Sequence, residues 1–193
     1  MVSMSLKNPL AFPEPNDGVI ECDDQALLVI VDQARSYSTL CFQELGDIPP
    51  HGLFLSEDGQ LDFFLPSEKD RDAEPDDLLE LVRLEAMSRA ISGSLAGAAL
   101  LARVESSEGD SAVATQIQTA SMSLMLLHPC HLDGPNSELG DPVAGPGLLL
   151  EEGLCFAPLK PLAPGCRFTR PPYDELLERV RQLDLQSDLD PSD

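Results

Sequence analysis

Residues 51–65, HGLFLSEDGQLDFFL, form two short apolar runs around a polar turn. The runs at 51–55 and 60–65 have the length and composition of β-strands. Between them, Asp58-Gly59 supplies the positive φ that a tight turn requires, because glycine has no Cβ to clash with the backbone. This stretch predicts a β-hairpin, and the neighbouring segments can be interpreted around it in both directions.

A helix is predicted downstream of the hairpin, at 75–92. Pro75 suits the first helical turn, and the two aspartates that follow it complement the positive end of the helix dipole. Glu85 and Arg89 have the spacing of an ion pair along one helix face, and Gly93 ends the helix. The apolar side chains that recur through the helix are Leu78, Leu79, Leu81, Val82, Ala86, Met87, Ala90 and Ile91.

Three further strands are predicted after this helix. The run at 95–105 is apolar enough for a central strand, residues 112–119 alternate between apolar and polar side chains, and 122–127 are apolar again. Short polar turns at 106–110 and 120–121 separate them. These strands predict an antiparallel meander.

Before the hairpin, residues 24–45 carry apolar side chains at spacings of three and four, which predicts an amphipathic helix capped by Asp23 or Asp24. Val29-Ile30-Val31 leaves a β-strand as the alternative. Together these elements predict an α+β fold with a single antiparallel sheet of about five strands, in the order helix-ββ-helix-βββ, with the helices packed on one face.

The remaining segments differ in composition from this core domain, which we place at 19–132. Residues 1–18 are rich in proline and predict a flexible arm, and 133–170 predict an extended strap rich in proline and glycine. Residues 171–183 predict a C-terminal helix. Residues 184–193 carry aspartates and no basic side chain, which predicts an acidic disordered tail.

The charge of the 193-residue chain limits the kinds of partner that it can bind. With 34 Asp and Glu against 12 Lys and Arg, the formal net charge is −22, which is the opposite of what nucleic-acid phosphates or anionic lipids attract. Apart from the tail, the acids concentrate at 57–85. That block is either a solvated face, as in proteins adapted to salt, or a surface that binds a basic protein or imitates DNA. The candidate partner-binding residues are Asp70, Asp72, Asp76 and Asp77.

Cysteine usage and hydropathy predict a cytoplasmic protein. The chain has five Cys, an odd number with no CxxC pair, so reduced thiols are expected. We find no apolar run long enough for a signal peptide or a membrane span. Neither association with membranes nor binding to nucleic acid is expected, and the oligomeric state is left open.

One dense cluster of soft metal ligands is present, formed by His128, Cys130 and His131. With His51 or Asp133 these residues could bind zinc, which takes nitrogen and sulfur ligands tetrahedrally. Alternatively, Cys130 is a small buried residue and both histidines lie in a loop. A nucleophilic thiol is disfavoured because nearby acidic groups raise a thiol pKa. Phosphate-binding loops, nucleophile elbows and HExxH motifs are absent from the sequence, so no cofactor is predicted.

Residues 49–132 resemble a group of small bacterial α/β proteins of uncharacterised function. The shared pattern comprises PPHGLFLSEDGQL, then DDLLELVRLEAMSRAISGSLAGAALLARVE, then AVATQIQTASMSLMLLHP. In that group the turn between the last two strands is acidic or contains His, whereas residues 119–121 are Thr-Ala-Ser here. The resemblance implies the α+β fold and no activity.

In its acidity and size the chain is also similar to immunity proteins and secretion chaperones. We therefore predict a non-enzymatic acidic module that binds another protein, in the manner of an immunity protein, chaperone or adaptor. The alternatives are a metal- or thiol-dependent enzyme centred on His128, Cys130 and His131, and a DNA mimic.

Overall fold

The computed structural model describes residues 24–45, 48–65, 75–105, 109–131, 138–145, 150, 153–155 and 157–185. These residues form three helices, which are α1 (Gln25–Leu45), α2 (Pro75–Ser92) and α3 (Tyr173–Leu185). They also form the strands β1 (His51–Ser56), β2 (Leu61–Phe64), β3 (Leu95–Glu105), β4 (Ser111–Thr119), β5 (Ser123–His131), β6 (Glu138–Leu139) and β7 (Val143–Ala144). The predicted α+β class is confirmed, and α1 is a helix rather than the alternative strand.

One antiparallel sheet organises the described chain, with strand order β2-β1-β3-β4-β5. The predicted hairpin and meander are both present, and β1 joins them by pairing with β3. Because β2 and β3 flank β1, the connection between them crosses over β1, and α2 lies in that connection. Beyond the sheet of about five strands predicted, the two-residue strands β6 and β7 pair with the outer edge of β5.

The helices pack on both faces of the sheet, so the prediction of a single helical face is wrong. Helices α1 and α3 share one core with Leu53, Leu101 and Ile117, whereas α2 shares another with Phe54 and Leu100. Neighbouring positions in a strand point to opposite faces. A buried strand such as β3, which is apolar at nearly every position, can therefore receive a helix on each side.

Two glycines allow this close packing. A Cβ at Gly97 would lie 2.4 Å from Ile30 of α1, and a Cβ at Gly52 would lie 3.0 Å from Val82 of α2. The side chains of Ile30 and Val82 therefore reach the sheet at these two glycines, and a Cβ at either position would force its neighbours to shift.

Local sequence signals set the ends of the elements as predicted. Gly59 has φ +91° in the hairpin turn, and its N–H donates to the carbonyl of Ser56 at 3.0 Å. Gly93 has φ +80° at the end of α2. At the start of α1, the carboxylate of Asp24 accepts a hydrogen bond from the N–H of Leu27 at 3.1 Å, which is the geometry of an N-cap.

The described parts of the strap run from one edge of the sheet to the other. After β6 and β7 cover β5, Leu154 and Cys155 are buried on the face that carries α2. Further along, Thr169 forms a parallel bridge with Gln60 beside the outer strand β2. Helix α3 follows on the opposite face.

The arm at 1–18 and most of the tail at 184–193 lie outside the described residues, so the predictions made for them stay predictions. Among the helices that the structure describes, none has the length and apolar content needed to cross a bilayer.

Candidate protein-interaction site

Helix α2 carries apolar side chains on two opposite sides. Its inner stripe, which is buried against the sheet, consists of Leu79, Val82, Ala86 and Ala90. At about 100° per residue, positions 81, 84, 88 and 91 lie on the opposite side, and we call them the outer stripe of α2. Leu84 and Ile91 in this stripe are 51% and 75% exposed, more than any other large apolar side chain in the described chain. Ile91, one of the apolar side chains that recur through the predicted helix, faces solvent.

The first turn of α2 is acidic next to this stripe. Asp76 and Asp77 are both exposed, and no described residue forms an ion pair with either carboxylate. Asp77 precedes Leu81 by four residues and Leu84 by seven, so it continues the outer stripe toward the start of the helix. The other two predicted partner-binding residues, Asp70 and Asp72, lie outside the described part of the chain.

Most other described acids of the 57–85 block are paired within the chain. Glu80 binds Arg83, and Arg89 binds both Glu85 at 2.7 Å and Asp62 at 2.8 Å. The contact between Arg89 and Asp62 joins α2 to β2. The ion pair predicted between Glu85 and Arg89 is confirmed.

Beyond the end of α2, the ammonium of Lys160 lies 3.2 Å from the Glu57 carboxylate. The described cations around α2 are therefore already bound to acids of this chain, and none of them pairs with Asp76 or Asp77.

The structure places His128, Cys130 and His131 inside β5 rather than in a loop after it. His128 is buried, its Nδ1 has no hydrogen-bond partner, and burial lowers its pKa to about 4 despite a hydrogen bond with the Gly140 backbone. Among the residues described, no three His, Cys, Asp or Glu side chains lie close enough to hold a metal. The side chains of His131 and Asp133 are not described, so their part in the metal interpretation stays a prediction.

His51 is too far from His128 to complete a zinc site with it. His51 lies on β1 and His128 on β5, which are three strand spacings apart, about 14 Å at roughly 4.8 Å each. His51 instead packs edge-on against Tyr37 of α1, with ring centroids 4.8 Å apart, and its Nδ1 lies 2.8 Å from the Pro49 carbonyl oxygen.

The buried titratable groups beneath α1 are uncharged near neutral pH. Burial lowers the pKa of His51 to about 4, although the contact with Pro49 opposes the shift. Burial also raises the pKa of the Cys41 thiol to about 11, despite a hydrogen bond with Tyr37. On the other face of the sheet, burial raises the pKa of Cys155 to about 11. These thiols therefore lack the thiolate character of a nucleophile.

A groove at the edge of β2 is a second surface feature. It has a volume of about 360 Å³ and includes the exposed Leu28 of α1 and Phe168 of the strap. Its charged members are Asp32 and Arg170, and the Arg170 guanidinium stacks 3.7 Å above the ring of Tyr173. Because these two charges have opposite signs, the groove has no electrostatic preference comparable to that of the first turn of α2.

Comparison with known proteins identifies no relative, because no protein-family model, curated protein or solved structure matches the chain significantly. The resemblance of residues 49–132 to small bacterial α/β proteins therefore stays a prediction.

Proposed function

We propose that this chain is a non-enzymatic protein-binding module that receives a helix of a protein partner on the outer stripe of α2. The observation that carries the proposal is the exposure of Leu84 and Ile91 opposite the buried stripe of the same helix. An apolar stripe on a surface helix is typical of an interaction site. The spacing 81-84-88-91 alternates between three and four residues, as in the seams of paired helices.

Charge supports a basic partner. The chain has a net charge of −22, and the exposed acids at the start of α2 have no cationic partner among the described residues. A positively charged surface would be steered toward this face, and its side chains would pair with Asp76 and Asp77.

The internal chemistry supports the non-enzymatic part of the proposal. Buried His51 and His128 are neutral at pH 7, and the thiols of Cys41 and Cys155 are protonated. These groups are buried beside the sheet, and their shifted pKa values keep them from exchanging protons near neutral pH.

The proposal is tested by replacing Leu84 and Ile91 with serine in the affinity-tagged full chain. Exposed positions contribute little to folding, so we expect thermal stability to change little while capture of the partner from native lysate falls at least about tenfold. Met122→Ser is the matched control, because Met122 is also an exposed apolar residue, 37% accessible, but lies in the turn between β4 and β5. Identical sets of captured proteins for wild type and the Leu84/Ile91 variant would contradict the proposal.

A further inference from the structure

We infer that the occupant of the outer stripe is an amphipathic helix with a basic last turn, which lies antiparallel to α2. This inference rests on the proposed function and specifies the chemistry and direction of the partner. Its apolar side chains would pack against Leu81, Leu84 and Ile91, on either side of the small Ser88. Its basic end would lie beside Asp76 and Asp77.

A second copy of the chain fits this face poorly. The two cations of α2 are already paired, Arg83 with Glu80 and Arg89 with Glu85 and Asp62, so a second α2 offers the acidic turn no uncommitted cation. Two copies also carry −22 each and repel one another. A basic helix of another protein meets neither of these two objections.

The direction follows from the helix dipoles. The acidic turn is at the N-terminal end of α2, so the cations of the partner must lie at that end. In an antiparallel pair this position is taken by the last turn of the partner, where basic side chains are stabilised by its own helix dipole. Antiparallel packing also sets the two dipoles in opposite directions. A parallel partner would place its cations at its first turn, where the dipole disfavours them.

Two synthetic peptides of identical composition test this inference on the full chain. Each is about 18 residues long, which matches the length of α2, and has leucines at alternating spacings of three and four. One carries its lysines in the last turn and the other in the first. Fluorescence anisotropy should show about fivefold tighter binding for the peptide with the basic last turn, a preference that shrinks in high salt.

Two variants separate the inference from the proposed function. Asp76→Asn combined with Asp77→Asn should abolish the preference between the peptides and leave weaker binding of both. Leu84→Ser combined with Ile91→Ser should abolish binding of both, while Met122→Ser should bind like wild type. Equal affinity of wild type for the two peptides, or a preference that survives in the asparagine variant, would overturn the inference and leave the docking site standing.

Binding that withstands the Leu84/Ile91 substitutions, or that is absent altogether, would overturn both the inference and the proposed function. Sedimentation of the wild-type chain tests whether a second copy occupies the outer stripe instead. A dimer that dissociates in the Leu84/Ile91 variant would replace the basic helix with a second copy as the occupant, and a monomer is expected.

Discussion

Asp24 shows how one carboxylate can connect elements that are distant in sequence. It caps α1 through the N–H of Leu27, and it accepts hydrogen bonds from Thr119 at 2.6 Å and from Ser121 in the turn between β4 and β5. Partial burial acts to raise the pKa of Asp24, but these hydrogen bonds outweigh it and hold the pKa below its ordinary value.

Asp24→Ala should therefore lower the free energy of unfolding by about 1–2 kcal/mol in urea titrations at pH 7. Because the pKa is lower in the folded chain, the stabilisation is present above the unfolded value of about 3.9 and is lost as the pH falls toward the folded value. The gap between wild type and variant should narrow accordingly between pH 5 and pH 3. Asp32→Ala, at an exposed site within α1, should cost less than about 0.5 kcal/mol at both pH values.

At the scale of the elements, the strap is held to the sheet by two glutamines whose side-chain amides form hydrogen bonds with its backbone. The Gln116 amide exchanges two hydrogen bonds with the backbone of Leu150, at 2.8 and 3.1 Å. The Gln118 amide accepts from the N–H groups of Leu154 and Cys155 and donates to the Cys155 carbonyl. Both glutamines lie on β4, so the central sheet satisfies the backbone of a segment that has little secondary structure of its own.

Replacing Gln118 with leucine should destabilise the chain by about 2–4 kcal/mol, because the backbone groups of two buried strap residues lose their partners. Urea unfolding measures the loss, and faster hydrogen exchange at Leu154 and Cys155 locates it. Gln43→Leu, on the exposed side of α1, is the control and should be nearly neutral. A Gln118→Leu variant as stable as the control would show that the strap does not depend on these bonds.

The elements with strong local signals could be predicted from the sequence, and their arrangement could not. Gly59 marks a turn and Gly93 marks the end of a helix. Both signals are local, so they do not depend on what the rest of the chain packs against. By contrast, the pairing of β1 with β3 joins segments separated by α2, and no local pattern encodes it. The pairing of β1 with β3 also determines which face of the sheet α2 covers. Because the sequence does not show this pairing, it does not show that α2 lies on the opposite face from α1.

The candidate site illustrates the same limit. The two stripes of α2 can be found on a helical wheel, but Leu84 and Ile91 look like core residues until the position of the sheet is known. The alternative that placed both histidines in a loop depended on β5 ending earlier than it does. Its extension to His131 follows from pairing with β4 and β6, which supply the backbone partners.

In the molecule as a whole, two histidines are buried in the neutral state, so acid should act on stability from within the core. His51 and His128 each have a pKa of about 4 in the folded chain against 6.5 in the unfolded chain. Between these values the unfolded chain binds protons that the folded chain does not bind. The stability is therefore complete above pH 6.5 and decreases as the pH falls toward 4.

We expect the free energy of unfolding to fall between pH 6.5 and pH 5 by up to about 1.4 kcal/mol per pH unit for each histidine, a window in which most carboxylates remain ionised. Urea titrations at half-unit steps measure this slope, and His51→Leu should reduce it by about half. If that variant does not fold, the histidine ring protons of the wild type give the answer by NMR. Chemical shifts of His51 and His128 that titrate near pH 6.5 in the folded protein would contradict burial as the source of the slope.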